Sequence, residues 1–256
     1  MPLSQLNNII LLMMVLIMTP INGYRDWLNN NLHETYYEHM ETPTRHKVFN
    51  FEQDFGGIGD GVTLNTVAFQ YAIQAAKRYN EQLKDHDKKL RGVEIIIGLP
   101  SENKTFLTGP FNLTSHFTLT VSASNSIIAS PDPNLWPIID PLPSYGQGRD
   151  HQGPRRVPFI GGFNLTDITI RGGGMIDGNG ETWWKRHKSG KEKYTRGRLF
   201  ETLYTDGVLL EDITLQNSPF WTIHPTVSSS NYLKKSSFLF FILTKCFSSI
   251  SIHRIL

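Results

Sequence analysis

The chain has 256 residues, of which 39% are hydrophobic and 19% charged, with a formal net charge of +2 and a pI near 8.6. This is the composition of a globular chain long enough for one large domain or two small ones. The charge is too mild and too scattered to mark a nucleic-acid binder, but it permits an acidic partner. The single cysteine, Cys246, excludes an internal disulfide, so the body relies on packing.

Ile9 to Met18 is an unbroken apolar run of ten residues followed by the turn-prone Thr19-Pro20-Ile21-Asn22-Gly23. Residues 1–23 are therefore expected to be a signal peptide, since a membrane span needs about 20 apolar residues. The missing Lys or Arg ahead of the run keeps a buried hydrophobic helix as the competing reading. Residues 24–46 show no clean period and read as an entry segment. Lys47–Phe51 reads as a short strand and "DFGGIGDG" (Asp54–Gly61) as a glycine-rich turn. Asp54-Phe55-Gly56 matches a kinase tripeptide, but none of the other kinase motifs accompanies it. A helix is expected from Asn65, capped by Asn65 or Thr66, with Phe69, Ala72, Ile73 and Ala76 on one apolar face. It is expected to be the only long helix.

Short β-branched or aromatic runs then alternate with Gly, Pro, Asn and Asp. They are Val93–Ile97, Thr105–Leu107, Phe117–Val121, Ile127–Ala129, Phe159-Ile160, Asp167–Ile170, Met175-Ile176, Leu199–Leu203, Gly207–Leu215 and Phe220–Ile223. Asp167-Ile168-Thr169-Ile170 recurs as Asp212-Ile213-Thr214-Leu215, 45 residues on, which suggests two coils of 22 or 23. Ile176 to Leu199 and Leu199 to Trp221 span 23 and 22 residues. Strands stacking at such an interval predict an all-β, right-handed parallel β-helix whose first coil is covered by the N-terminal helix. An immunoglobulin-like sandwich is the alternative, but its hairpin signals are scarce.

Three sequons, Asn103-Lys104-Thr105, Asn112-Leu113-Thr114 and Asn164-Leu165-Thr166, suit a secretory route. In order along the chain, "FNFEQDFGGIGDG", "LTGPFNLTSHFTL", "PLPSYGQGR", "FIGGFNLTDITIRGGGMIDGNGETWW" and "NSPFWTIHP" resemble the plant polygalacturonases of glycoside hydrolase family 28. The resemblance covers about Lys47 to Pro225. It implies a right-handed parallel β-helix, hydrolysis of the α-1,4-galacturonan of pectin, and a place in the cell wall. It also implies inverting chemistry, in which one carboxylic acid protonates the leaving oxygen and others activate a water across about 6.5–9.5 Å.

The family's acids come from an Asn-Thr-Asp motif and an Asp-Asp pair, supported by a Gly-His-Gly histidine and an Arg-x-Lys pair. This sequence contains no adjacent Asp residues, no Asn-Thr-Asp and no Gly-His-Gly, and Arg254-Ile255-Leu256 has Leu where the Lys would stand. No catalytic residue is therefore assigned. Asp177, between Gly174 and Gly178, reads as a turn former rather than an active-site acid. Trp183 and Trp184 read as cover for a core or coil edge rather than a sugar platform. His224 reads as a hydrogen-bonded structural histidine, because no carboxylate lies within ten residues to tune it. Lys185 to Arg198 holds seven bases against Glu192 and reads as a solvated loop, with attraction of an acidic polymer as the functional alternative. His33 and His39 lack companions at ligand spacing, so no metal and no cofactor are expected.

After Asp212 the remaining 44 residues hold no Asp, Glu or Gly, and "FLFFIL" is six apolar residues in a row. Residues 227–256 read as an aberrant tail, Val227-Ser228 being what a splice donor would encode, as in a retained intron. The body, 47–226, would then be the N-terminal part of the β-helix, incomplete at its C-terminal end and inactive. The expected partner is acidic polysaccharide (pectin, homogalacturonan), with no nucleic acid and no membrane after signal cleavage. A monomer secreted to the cell wall is expected. A secreted, non-catalytic pectin-binding β-helix is the second reading. A polysaccharide lyase on the same fold is the third, but the calcium-binding acids and Arg base it needs are not displayed.

Overall fold

The computed structural model describes residues 43–142, 150–226, 229–234 and 237–239. The expected signal segment at 1–23, residues 24–42 of the entry segment with His33 and His39, Cys246 and Arg254 lie outside them. The chain opens with β1 (Lys47–Asn50), α1 (Phe51–Phe55), β2 (Asp60–Leu64), α2 (Thr66–Gln82), β3 (Val93–Ile97) and β4 (Thr105–Thr108). Next come β5 (Phe111–Asn112), β6 (Phe117–Val121), β7 (Ser126–Ala129), β8 (Ile138–Ile139), β9 (Arg155–Arg156) and β10 (Ile160–Phe163). Then follow β11 (Thr166–Arg171), β12 (Met175–Asp177), α3 (Glu181–Lys188), β13 (Phe200–Leu203), β14 (Asp206–Glu211) and β15 (Thr214–Gln216). The last described strands are β16 (Ile223–Thr226), β17 (Ser229–Lys234) and β18 (Ser237–Leu239).

The strands stack as three parallel sheets. Sheet 1 runs β1-β3-β6-β11-β14-β17, sheet 2 runs β2-β4-β7-β12-β15-β18, and sheet 3 runs β5-β10-β13-β16. The chain visits them in turn, and the fold is a right-handed parallel β-helix. Strand periodicity explains why it holds together, because alternate residues point inward and equivalent residues of successive coils meet. In β3, Val93, Ile95 and Ile97 are buried while Glu94 and Ile96 are half-buried. Val93, Phe117, Ile168 and Val208 form one interior column of sheet 1, and Ile95, Leu119, Ile170 and Leu210 form the next. Phe106, Ile127, Ile176 and Leu215 do the same for sheet 2, and Phe111, Ile160 and Phe200 for sheet 3. Each such side chain contributes about 1.5–3 kcal/mol by leaving water, and each depends on the coil above and below.

The cap is aromatic. Phe69 of α2 packs on Phe51 of α1 at 4.3 Å and on Phe111 of sheet 3 at 4.5 Å, and Phe51 meets Phe106 of sheet 2 at 5.6 Å. Phe111 then touches Phe159, which meets Trp136, which meets Trp183 of α3 at 5.1 Å. The helix expected from Asn65 thus closes the first coil, as its apolar face predicts.

Several local expectations are corrected. The first strand ends at Asn50, whose side chain accepts hydrogen bonds from the Glu52 and Gln53 amides and starts α1; Gly56, at φ 69°, ends that helix. Asn65 does not cap α2 with its side chain. Its Nδ2 donates to the Ile58, Thr63 and Leu107 carbonyls and its Oδ1 accepts from the Ile58 amide, binding the preceding loop to β4. The run Gly207–Leu215 is two strands in different sheets, because Asp212 at φ 47° turns the chain between β14 and β15.

The 45-residue repeat is also corrected. Ile168 lies in sheet 1 and Thr214 in sheet 2, so the two similar segments are not equivalent. Ile168 pairs with Val208, a single coil of 40 residues lengthened by α3 and the loop after it. Likewise Ile176 and Leu199 do not stack. The 23-residue coil does exist, in the register Phe200 to Ile223, Val208 to Asn231 and Thr214 to Ser237. The backbone of residues 229–234 and 237–239 continues that register past Thr226.

Candidate functional site

The outer face of sheet 3 carries the densest buried charge among the described residues. Pairing of β5, β10, β13 and β16 puts Asn112, Gly161, Glu201 and His224 in one outward column. Gly161 makes room there, since a Cβ on it would come within 2.3 Å of Asn112 Oδ1. Glu201 is 3% exposed. Its Oε1 accepts from Arg155 Nη1 at 2.6 Å, and its Oε2 meets Arg198 Nη1 at 2.9 Å and His224 Nδ1 at 3.0 Å. Thr226 Oγ1 lies 3.0 Å from the same His224 nitrogen. Arg198 is fully buried beneath the rings of Phe220 and Trp221, and Trp221 meets the His224 ring edge-to-face at 5.0 Å.

The electrostatics follow from that geometry. Burial opposes charge on Glu201, but the His224 hydrogen bond and the Arg198 and Arg155 charges outweigh it and hold the carboxyl below its ordinary range. Burial is also the largest influence on His224. With the two arginine charges it outweighs the attraction of Glu201 and pushes the imidazole down. Both Glu201 oxygens are engaged, so this acid is an anchor rather than a free base. His224, its side chain 17% exposed, is the member of the group that reaches solvent.

His224 therefore is hydrogen-bonded, as expected, but its partner is a carboxylate that counting along the chain does not reveal. Glu201 lies 23 residues earlier, one coil away. The coil period was the signal that finds it.

Asp177 forms a turn. Its Oδ1 accepts from the Asn179 amide at 2.7 Å, and its Oδ2 from Gln216 Nε2 at 2.6 Å and Asn217 Nδ2 at 2.9 Å. Trp183 is fully buried and Trp184 donates its Nε1–H to the Ser218 carbonyl, so both secure α3 against neighbouring coils. The basic stretch is not one solvated loop. Lys185, Arg186 and Lys188 lie on α3, and Glu192 is buried between Arg156 and Arg186. Arg196 pairs with Asp150 at 2.6 Å and Arg198 with Glu201. Lys185, Lys188, Lys191 and Lys193 are left exposed. Among the described residues no group of three or more His, Cys, Asp or Glu is placed to hold a metal, and no helix is long and apolar enough to cross a membrane. Asn103, Asn112 and Asn164 are all exposed.

Residues 96–238 match the model of Glycosyl hydrolases family 28. The chain belongs to this family. The match includes β17 and most of β18, and so runs past Thr226. Over 176 residues the chain is 45% identical to a probable polygalacturonase of Vitis vinifera, covering 68% of this chain and 33% of that protein. It is 28% identical over 183 residues to a polygalacturonase of Chamaecyparis obtusa, covering 67% of this chain and 29% of that protein. The chain thus spans about a third of the length of these plant relatives. Among solved structures, an exopolygalacturonase of Thermotoga maritima superposes with a TM-score of 0.61 at 23% identity, covering 78% of this chain and 48% of that one. A polygalacturonase of Erwinia carotovora gives 0.55 at 19%, covering 81% and 51%. At these identities the structural likeness speaks for the fold. The family-28 coils of this chain are therefore the frame on which the Glu201–His224 group is mounted.

Proposed function

We propose that this chain is polygalacturonase-like, a family-28 fold directed at the α-1,4-galacturonan of pectin in cell-wall carbohydrate metabolism. The observation that carries the reading is the 45% identity to the Vitis vinifera probable polygalacturonase over 176 residues, 68% of this chain. A polymer of galacturonate is anionic, and the exposed lysines around α3 offer it a surface of opposite sign. Secretion to the cell wall as a glycosylated monomer belongs to the same reading, supported by the apolar run at residues 9–18 and the three exposed sequon asparagines.

The 256-residue chain by itself binds without cleaving. Its sequence lacks the Asn-Thr-Asp and Asp-Asp motifs that the family resemblance requires, and Glu201 and Asp177 have both oxygens engaged. The test is to pass the purified chain over immobilised pectate at low salt and assay polygalacturonate for new reducing ends. Retention without new ends is expected. Release of reducing ends refutes the inactivity, and failure to be retained refutes the substrate class.

A further inference from the structure

The corner between sheets 3 and 1 carries an exposed aromatic pair that the described residues leave uncovered. Phe163 is 64% exposed and Tyr204 42%, and their rings meet edge-to-face at 5.7 Å and 88°. Large aromatics usually find a partner surface, and a pair left in water costs the apolar burial that it would otherwise contribute. Asn164, the acceptor of the Asn164-Leu165-Thr166 sequon, immediately follows Phe163.

The coil register makes this more than a sequence neighbourhood. Phe163 pairs with Leu203, and Thr166 with Asp206, so the intervening corners have equal length and Asn164 occupies the same station as Tyr204. The backbone agrees. Asn164 has φ 52° and Tyr204 φ 53°, two left-handed residues at one position of successive coils, and the Asn164 amide donates to the Leu203 carbonyl at 2.9 Å. Adjacent parallel rungs stand about 4.8 Å apart, so the first sugar on Asn164 Nδ2 starts beside the Tyr204 ring. Asn164 and Thr166 are both exposed. The other two sequons lack this setting. Thr114 is buried and Asn112 lies against Gly161, with its neighbour Phe111 in the core. Asn103 stands between Glu102 and Lys104, which pair with each other.

We propose that Asn164 carries an N-linked oligosaccharide whose first N-acetylglucosamine packs on Phe163 and Tyr204 and covers this apolar corner. The sugar's axial C–H face and acetyl methyl are the apolar groups that suit an aromatic surface, while its hydroxyls stay in water. The proposal needs passage through a secretory pathway, but it does not depend on pectin being the substrate.

The full chain is to be expressed in a secreting eukaryotic host and its glycopeptides read by mass spectrometry. Occupancy at Asn164 is expected, and an unmodified Asn164 overturns the proposal whether or not the chain is stable. Trimming the oligosaccharide to a single N-acetylglucosamine should leave the melting temperature unchanged, while Asn164→Gln should lower it by about 2–4 °C, as loss of one modest contact does in a chain of this size. In a Phe163→Ser/Tyr204→Asn variant, which removes the rings and keeps a residue tolerant of the left-handed turn, adding Asn164→Gln should change nothing. Tyr204 nitration supplies a second readout, slower with the sugar present than in Asn164→Gln. An occupied site whose sugar alters neither melting nor Tyr204 reactivity overturns the packing.

Discussion

Glu201 and His224 face each other one coil apart, Oε2 to Nδ1 at 3.0 Å, with Arg155 and Arg198 closing the other sides of the carboxylate. Four ionisable groups are thereby concentrated on the outer face of one sheet, and the acid at their centre is almost fully buried. Removing it takes from both buried guanidinium groups the carboxylate that they share.

Glu201→Gln should therefore destabilise the chain by about 3–5 kcal/mol, the usual consequence of breaking a buried charge group by deleting one partner. Urea unfolding of the variant beside the parent measures this. A loss below about 1 kcal/mol would mean the group is solvated in solution.

The same group makes stability depend on pH. His224 has a folded pKa below its ordinary 6.5, so as pH falls beneath 6.5 the unfolded imidazole takes up a proton first and unfolding is favoured. The depressed Glu201 carboxyl acts in the same direction at lower pH. Its contribution is complete above 4.5 and is lost as pH falls through its folded value. Melting temperature should fall below pH 6.5 in the parent and fall less steeply there in His224→Gln. Identical slopes would show that His224 is not the titrating group.

Much of this arrangement is legible in residue patterns, and the remainder is hidden by one feature of solenoids. β-branched runs such as Val93–Ile97 and Phe117–Val121 announce their strands because each strand buries alternate residues in the same interior. The α2 face announces the cap. What pattern alone misses is which strands stack, because α3 lengthens one coil to 40 residues while its neighbour keeps 23. Thr169 and Thr214 then look equivalent when they lie in different sheets. The missed partner of His224 has the same origin, since the relevant neighbour stands one coil back rather than a few residues away. Arg198, one more positive charge in a basic stretch by sequence, is fully buried because Glu201 and two aromatic rings surround it.

At the other end of the stack, Phe69 joins the two cap helices to sheet 3. It is 1% exposed and touches Phe51 and Phe111 together. Phe69→Ala should cost about 3–5 kcal/mol, and because the cap covers the first coil, the loss should be accompanied by faster amide exchange in β2 and β4. Exchange unchanged in those strands would show that the cap and the first coil open independently.

The basic stretch divides into two sets with opposite expected behaviour. Arg186, Arg196 and Arg198 hold Glu192, Asp150 and Glu201, so replacing them unfolds the loop rather than probing its surface. Lys185, Lys188, Lys191 and Lys193 are exposed, and the Lys185–Glu181 pair at 2.6 Å is a surface contact of small energetic value. Changing these four lysines to serine should leave the chain folded, since each exposed substitution seldom exceeds about 0.5 kcal/mol. It should also shift the salt concentration that elutes the chain from immobilised pectate markedly downward, because attraction between exposed charges and a polyanion is screened within about 10 Å at 0.1 M salt. Unchanged elution in a folded variant would place the pectate contact elsewhere on the coils.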